Sequence, residues 1–406
     1  MAGGSVHRSC ALAAVLLLAA CSSPARPGGD PGPGAAPGTP VRTASAAPGP
    51  GQTPGPTPAP GPRRASVVLN GDLLWHNTLV FGAREDAARA GRRGADDLDF
   101  EPLLAGVRPV VQAADLAVCH NEVPLAPRGG PYTYYPSFAA PPQTLTAVRA
   151  VGYGLCTTAS NHSLDAGWPG LVRTLDAMDA AGLKHSGTAR TQQEADHPPV
   201  FTTAAGVRIA VVTGTYGTND VPRPAGKPWS VPGLDIDQLL ARARTARADG
   251  AEIVLVAMHA GEEYQHQPND QQRRLAERLT ASPDVDLVYG HHVHVVQPWT
   301  RVNGKWVVYG LGNLVAQHSA ERPAGYEGVT ARFSFEETEP GRFKVVRAEY
   351  LPTLVSRYAP GHPARLSLVN ADLREGRGDR ARLQQAERRT RAVVTSLGGV
   401  EGLVES

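Results

Sequence analysis

Three histidines fall within four residues in the stretch 286–298, which reads Asp-Leu-Val-Tyr-Gly-His-His-Val-His-Val-Val-Gln-Pro. His292 and His294 are separated by one residue. On an extended loop that spacing turns two neutral imidazoles toward a common point, and imidazole is the commonest protein ligand for a metal ion. Four other stretches carry ligand-type side chains: Asn70-Gly71-Asp72, His120-Asn121-Glu122, Asn161-His162 and His259-Ala260-Gly261-Glu262. The candidate metal-site residues are Asp72, Glu122, Asn161, His162, His259, His292 and His294. Two carboxylates, an amide and several imidazoles suit a borderline divalent transition ion, Mn, Zn, Fe or Co. The set is larger than one tetrahedral ion needs, so one or two ions are expected. A pair roughly 3.5–4 Å apart would share Glu122 as the bridge and acidify a water between them. His76, His120 and His291 lie close enough in sequence to be additional site residues.

Each candidate follows an apolar run that reads as a strand. These runs are 65–69, 114–119, 153–158, 252–258 and 287–289. Residues 252–258 are apolar almost without interruption, which suits a central strand covered on both faces. Helical patterns lie between the runs. Leu171, Leu175 and Met178 form an i, i+4, i+7 stripe closed by Gly182. Asp235 can cap a helix through about residue 248, and another covers about 270–280. Strand, polar loop, helix, repeated, is the α/β pattern, and its sites form beyond the carboxyl ends of the strands. The aromatic, Pro-rich loop 132–142 is either a packed surface loop or one wall of a substrate groove. Residues 332–335 and 343–346 form a hairpin about Glu339-Pro340-Gly341, and a last amphipathic helix starts near Asp379. That helix has a face of Leu383, Ala386, Thr390, Val393 and Leu397. Its arginines are either a solvated face or a contact for anionic lipid.

The N-terminal part has a different chemistry. Arg8 and the apolar run 11–20 make a signal peptide, ending in Leu18-Ala19-Ala20-Cys21. That ending resembles a bacterial lipobox, which implies cleavage before Cys21 and a lipid on its thiol, giving a membrane anchor without a spanning helix. Residues 22–64 are mostly Pro, Gly, Ala, Thr and Ser, too poor in apolar bulk to fold, and read as a disordered linker. The domain divisions are therefore 1–21, 22–64, a folded domain over 65–360, and a C-terminal helical tail over 361–406. An extracytoplasmic location follows, on the outer face of the cell membrane. Net charge is +2, which does not point to nucleic acid, and no nucleic-acid partner is expected. The exported setting permits a disulfide, but Cys119 and Cys156 sit near the ends of apolar runs and read as two buried free thiols.

The motifs together resemble the CapA family, named for poly-γ-glutamate capsule synthesis. They are Asn70-Gly-Asp72, Asn121-Glu122 with Pro124, Ala159-Ser-Asn-His-Ser-Leu-Asp-Ala-Gly167, His259-Ala-Gly-Glu-Glu-Tyr264, Gly290-His-His-Val-His-Val-Val-Gln297 and Tyr309-Gly-Leu-Gly-Asn313. That family is similar to the calcineurin-like metallophosphatases. The resemblance implies an α/β (α+β) fold, a four-layer α-β-β-α sandwich. It implies that Asp72 binds one ion, Glu122 bridges, Asn161, His259 and His292 hold the second ion, and His294 returns to the first. It implies that His162 is catalytic, acting as general acid or orienting the leaving group. Two departures are visible: Leu74 stands where the metallophosphatase pattern has a histidine, and His120 stands in a family position that is usually Asn. The implied function is a metal-dependent hydrolase of poly-γ-glutamate or capsule biosynthesis, acting on a phosphoester or a γ-glutamyl amide. The alternative is a non-catalytic metal-binding component of a polyglutamate synthesis or export complex. The polymer and that complex are the expected partners.

Overall fold

The apolar runs fold into two stacked sheets. A computed structural model describes residues 61–398 and 400–406. The expected signal peptide, Cys21 and all but the last four residues of the 22–64 linker lie outside the described residues. Strand pairing already includes the last residue of the expected linker, since Arg64 pairs with Glu336 across two strands.

The first sheet starts with β1 (Arg64–Leu73), β2 (Leu116–Asn121), β3 (Leu155–Thr157) and β4 (Lys184–Ser186), all parallel. The second contains β5 (Val200–Thr202), β6 (Arg208–Thr215), β7 (Ile253–His259), β8 (Leu287–His291), β9 (Trp299–Val302) and β10 (Lys305–Val308), in the order β5-β6-β7-β8-β10-β9. The chain then returns to the first sheet through β11 (Asn313–Val315), β12 (Glu327–Glu339), β13 (Arg342–Val355), β14 (Leu366–Leu368) and β15 (Leu403–Glu405). The first sheet runs β14-β13-β12-β1-β2-β3-β4, with β11 beside β1 and β15 beside β13.

Alternation along each strand builds the layers. In β7, Ile253, Leu255 and Ala257 face the other sheet, where they meet Val67, Leu69 and Val118. Val254, Val256 and Met258 face outward onto Leu239 and Ala243 of the helix Ile236–Ala248 and Leu275 and Leu279 of the helix Asp270–Ala281. Fully burying such a side chain contributes about 1.5–3 kcal/mol. On the far side, Val68, Ala117 and Cys119 pack beneath the helices Asn77–Arg89, Gln143–Val151 and Gly167–Ala180. The result is the four-layer α-β-β-α sandwich. Asp235 caps its helix as expected, accepting from the Gln238 N–H.

Three expectations change. Cys119 and Cys156 are not free thiols. They face each other in the β2–β3 register with Cα atoms 4.5 Å apart and are joined as a disulfide. The hairpin is much longer than 332–346, because β12 and β13 extend as an antiparallel ribbon over 327–355. Residues 361–406 are more than helices, since β14 and β15 add edges to the first sheet. The helix Arg380–Val394 buries Leu383, Ala386, Thr390 and Val394, while Leu397 is exposed. Its Arg382 and Arg389 both reach the buried Glu327, at 2.5 and 3.0 Å, so much of the basic face is spent inside the chain. No helix among the described residues is long and apolar enough to cross a membrane.

Candidate metal centre

The ligand-type residues collect at one end of both sheets. The first sheet supplies Asp72 near the end of β1, Glu122 just past β2 and Asn161 beyond β3. The second supplies His259 and His291 as the last residues of β7 and β8, then His292 and His294 on the loop that follows. Gly290 is required there: a Cβ would stand 1.9 Å from the Tyr309 carbonyl oxygen. His292 and His294 adopt left-handed backbone, with φ of 91° and 57°. Each such residue costs on the order of 1–3 kcal/mol. The loop is held in place because the His292 N–H donates to Asp72 Oδ2 at 3.2 Å and the Asn313 amide donates to the His294 carbonyl at 3.2 Å.

Ligand atoms of Asp72, Glu122 and His294 lie within 4.8 Å of one another, and all three residues are buried. His294 Nδ1 is 3.0 Å from Asn313 Oδ1 and 3.2 Å from Asp72 Oδ2, which leaves its Nε2 toward Glu122 Oε1 at 3.9 Å. On the other side of Glu122, His259 Nε2 is also 3.9 Å from Oε1 and lies 2.8 Å from Asn161 Oδ1. The His292 ring sits 4.9 Å from that of His259. Thus Glu122 stands between an Asp72–His294 half and an Asn161–His259–His292 half.

Neither oxygen of Glu122 has a hydrogen-bond partner, although both are buried. Burial pushes its carboxyl up to about 8. Burial also works against charge on His294, but the carboxylates of Glu122 and Asp72 outweigh it and lift the imidazole to about 9. These shifts have one physical source, a buried pocket rich in acceptors and short of positive charge. A buried carboxylate with no donor costs several kcal/mol. A divalent cation among Glu122, His294 and His259 would satisfy it, so the donor set fits a metal ion.

His162 stands beside this cluster. Its Nδ1 is 2.7 Å from Asp165 Oδ2, and the Phe138 N–H donates to the same oxygen at 2.8 Å. Burial lowers the His162 pKa, but Asp165 and Glu122 raise it further, and the net shift is upward. Phe138 also meets the rings of His162 and His76 edge-on, so the 132–142 loop forms a wall of the site.

The additional candidates fall behind or beside the centre. His120, His291 and Asp72 also bring ligand atoms within 4.8 Å. However, both ring nitrogens of His120 have partners, Thr157 Oγ1 at 2.8 Å and His259 Nδ1 at 3.0 Å. His291 gives Nδ1 to Asp72 Oδ1 at 2.8 Å. His76 receives the Gln317 N–H on Nδ1 and belongs to neither ligand group. Leu74 is packed into the apolar cluster beneath the outer helices. Four residues outside the expected set hold the site: Asn313 on His294, Asp165 on His162, Thr157 on His120, and Asn219, whose Oδ1 accepts from Asn161 at 3.1 Å. Asp165 and Asn313 lay inside quoted motifs. Thr157 and Asn219 carry no signal without the strand register and the loop path.

A model of bacterial capsule synthesis proteins matches residues 66–318. The chain is 26% identical over 270 residues to the PGA biosynthesis protein CapA of Bacillus subtilis, covering 63% of this chain and 65% of that protein. It is 29% identical over 184 residues to the capsule biosynthesis protein CapA of Bacillus anthracis, covering 44% and 43%. It therefore spans less than two thirds of either relative. Among solved structures it is similar to a calcineurin-like phosphoesterase of Bacillus subtilis, at 12% identity and a TM-score of 0.37, covering 81% of this chain and 97% of that one. It is also similar to a phosphatase of Mycoplasma pneumoniae, at 12% identity and a TM-score of 0.41, covering 72% and 94%.

Proposed function

We propose that this chain, which belongs to the bacterial capsule synthesis protein family PGA_cap, is a lipid-anchored, extracytoplasmic, metal-dependent hydrolase of poly-γ-glutamate capsule biosynthesis. The observation that carries the metal reading is Glu122: a carboxylate with both oxygens buried and unpartnered, faced by two imidazole nitrogens. Asp72, Glu122 and His294 would hold one divalent ion, and Glu122, Asn161, His259 and His292 a second. Such ions supply Lewis acidity that polarises a phosphoester or γ-glutamyl amide bond. The chain's own residues supply the rest. Asp165 orients His162 and favours its protonated form, so the other ring nitrogen can deliver a proton to a leaving oxygen or nitrogen. Phe138 and the 132–142 loop shield that proton from bulk water.

One observation favours the second reading, a component that binds polymer without cleaving it. Leu74 removes a ligand from the Asp72–His294 half, and His76 does not replace it. An incomplete site can bind a cation, and through it polymer carboxylates, with little turnover. The test is metal content of the full chain with Glu122→Ala and His294→Ala, alongside assays on phosphoesters and poly-γ-glutamate. One or two transition ions per wild-type chain, lost in both variants, together with metal-dependent cleavage, is the expected result. Metal uptake without cleavage of either substrate class moves the reading to the binding component. A chain that cannot be loaded overturns both.

A further inference from the structure

Behind the cluster, His259 is one link in a buried chain of hydrogen bonds. Its Nδ1 lies 3.0 Å from His120 Nε2, and His120 Nδ1 lies 2.8 Å from Thr157 Oγ1. The Thr157 hydroxyl also lies 3.3 Å from the Cys119 carbonyl oxygen. In the other direction, His259 Nε2 is 2.8 Å from Asn161 Oδ1. All four residues behind or within this chain are buried: Thr157, His120, His259 and Asn161. Both rings are fully buried, which disfavours charge, and the nitrogen-to-nitrogen contact between them needs one bare nitrogen, so each imidazole is neutral and carries one proton.

Two proton arrangements satisfy this chain. In the first, the Thr157 hydroxyl donates to His120 Nδ1, His120 Nε2–H donates to His259 Nδ1, and His259 Nε2–H donates to Asn161 Oδ1. Every group is paired, and His259 has no lone pair toward the site. In the second, the Thr157 hydroxyl turns to the Cys119 carbonyl. His120 Nδ1–H then donates to Thr157, and His259 Nδ1–H donates to His120 Nε2. The His259 Nε2 lone pair now faces Asn161 Oδ1 and Glu122 Oε1, 2.8 and 3.9 Å away. Three acceptors converge on one point, an arrangement that repels unless a cation sits among them.

We propose that His120 and Thr157 are positioning residues that switch His259 between these tautomers, the first closing the metal-free site and the second presenting Nε2 to the ion. The inference rests on the metal-centre reading above. The two imidazoles carry two protons in both states. The His259 Nε2 proton leaves to water, the His120 Nε2 proton crosses to His259 Nδ1, and His120 Nδ1 takes one proton from water. Thr157 keeps its proton and rotates. No net proton is gained or lost, so the buried charge behind the ion stays constant. A hydroxyl suits this role because it both donates and accepts; a methyl group can do neither.

The test uses the full chain with ¹⁵N-labelled histidine, metal-free and loaded with Zn²⁺, and calorimetric titration with Zn²⁺ alone. The expected spectra show Nε2–H on both His120 and His259 without zinc, and Nδ1–H on both with zinc. Thr157→Val, nearly isosteric, is expected to bind zinc ~10- to ~100-fold more weakly, the usual range for loss of a group supporting a ligand. Thr157→Ser should restore wild-type affinity and the tautomer change. The proposal is overturned if His120 keeps one tautomer in both states, or if Thr157→Val binds zinc as wild type does. A wild type that takes up no zinc overturns the metal-centre reading instead. The metal-free spectrum still judges the relay separately, since His120 present there as Nδ1–H rules out the closed arrangement.

Discussion

Asp72 and Glu122 are equally buried carboxylates that face one cluster, yet the chain treats them oppositely. Asp72 accepts from His291 Nδ1, the His292 N–H and His294 Nδ1. Burial alone would raise its pKa, but these partners hold it well below the usual carboxylate range. Glu122 accepts from nothing, and burial pushes it up to about 8. One carboxylate is satisfied by the protein and helps hold the strained His292–His294 loop. The other is left for something the chain does not provide. In a cluster of this kind the unsatisfied group marks where the ion belongs, while the satisfied one marks what the fold cannot lose.

Glu122→Gln should separate the two most sharply. Removing the ionisable carboxyl should weaken divalent-ion binding by ~10³-fold or more, while the metal-free protein melts no lower than wild type, because the carboxyl that is lost has no partner there. The measurements are zinc titration and thermal unfolding in chelator. A variant that keeps wild-type affinity would end the assignment of Glu122 as the shared ligand. Asp72→Asn should do the reverse. It breaks the pairs with His291 and His294, so stability should fall by about 3–5 kcal/mol even in chelator. If denaturant unfolding shows Asp72→Asn no less stable than Glu122→Gln, the contrast between the two positions is wrong.

The disulfide bears on the same contrast, since it ties β2 to β3 and leaves β1 alone. His120 and Thr157 follow the two cysteines directly and pair with each other in the register. Glu122 is two residues further on, whereas Asp72 is on β1. Replacing both cysteines by serine should cost about 4 kcal/mol for a loop of this size. It should also weaken zinc binding a few-fold, with the loss appearing in the His120 and His259 resonances and not in those of His291. Equal perturbation of both sides would mean that the bond only braces the domain.

The alternation of strand, polar loop and helix was legible because fully buried parallel strands such as β7 are unbroken apolar runs. The same runs hide which residues face which layer, because both faces are apolar. The ligand-type residues stand out in the sequence because each lies at or shortly beyond the end of an apolar run. Their supports stand out less. Thr157 acquires its role only through the β2–β3 register, and that register also places Cys119 opposite Cys156, which the chain order does not reveal. β14 and β15 are three residues each, too short for any period to declare itself. Arg382 and Arg389 of the terminal helix look free in sequence because their partner, Glu327, lies more than fifty residues upstream.

A pH titration of stability gives the smallest effect and addresses the contrast directly. In the metal-free protein, Glu122 sits at about 8 and His294 at about 9, both above their ordinary values. Groups with raised pKa values make the folded chain hold protons that the unfolded chain has released, so their stabilisation is lost as pH rises. The depressed histidines His76, His292 and His318, at about 4, 3 and 3, act with the opposite sign, but only below their unfolded value near 6.5. Between about pH 6.5 and 8 the raised pair therefore dominates. The pair together retains between one and two extra protons across that window, which should cost about 3 kcal/mol. Asp72 contributes nothing here, because its lowered pKa confines its effect to acid below its ordinary range. Glu122→Gln should flatten the decline, both by removing the carboxyl and by taking away the charge that lifts His294. Saturating zinc should flatten it as well, by replacing the proton. A wild type in chelator whose stability is level from pH 6.5 to 8 would mean that Glu122 already has a partner in solution, and the two carboxylates would no longer differ.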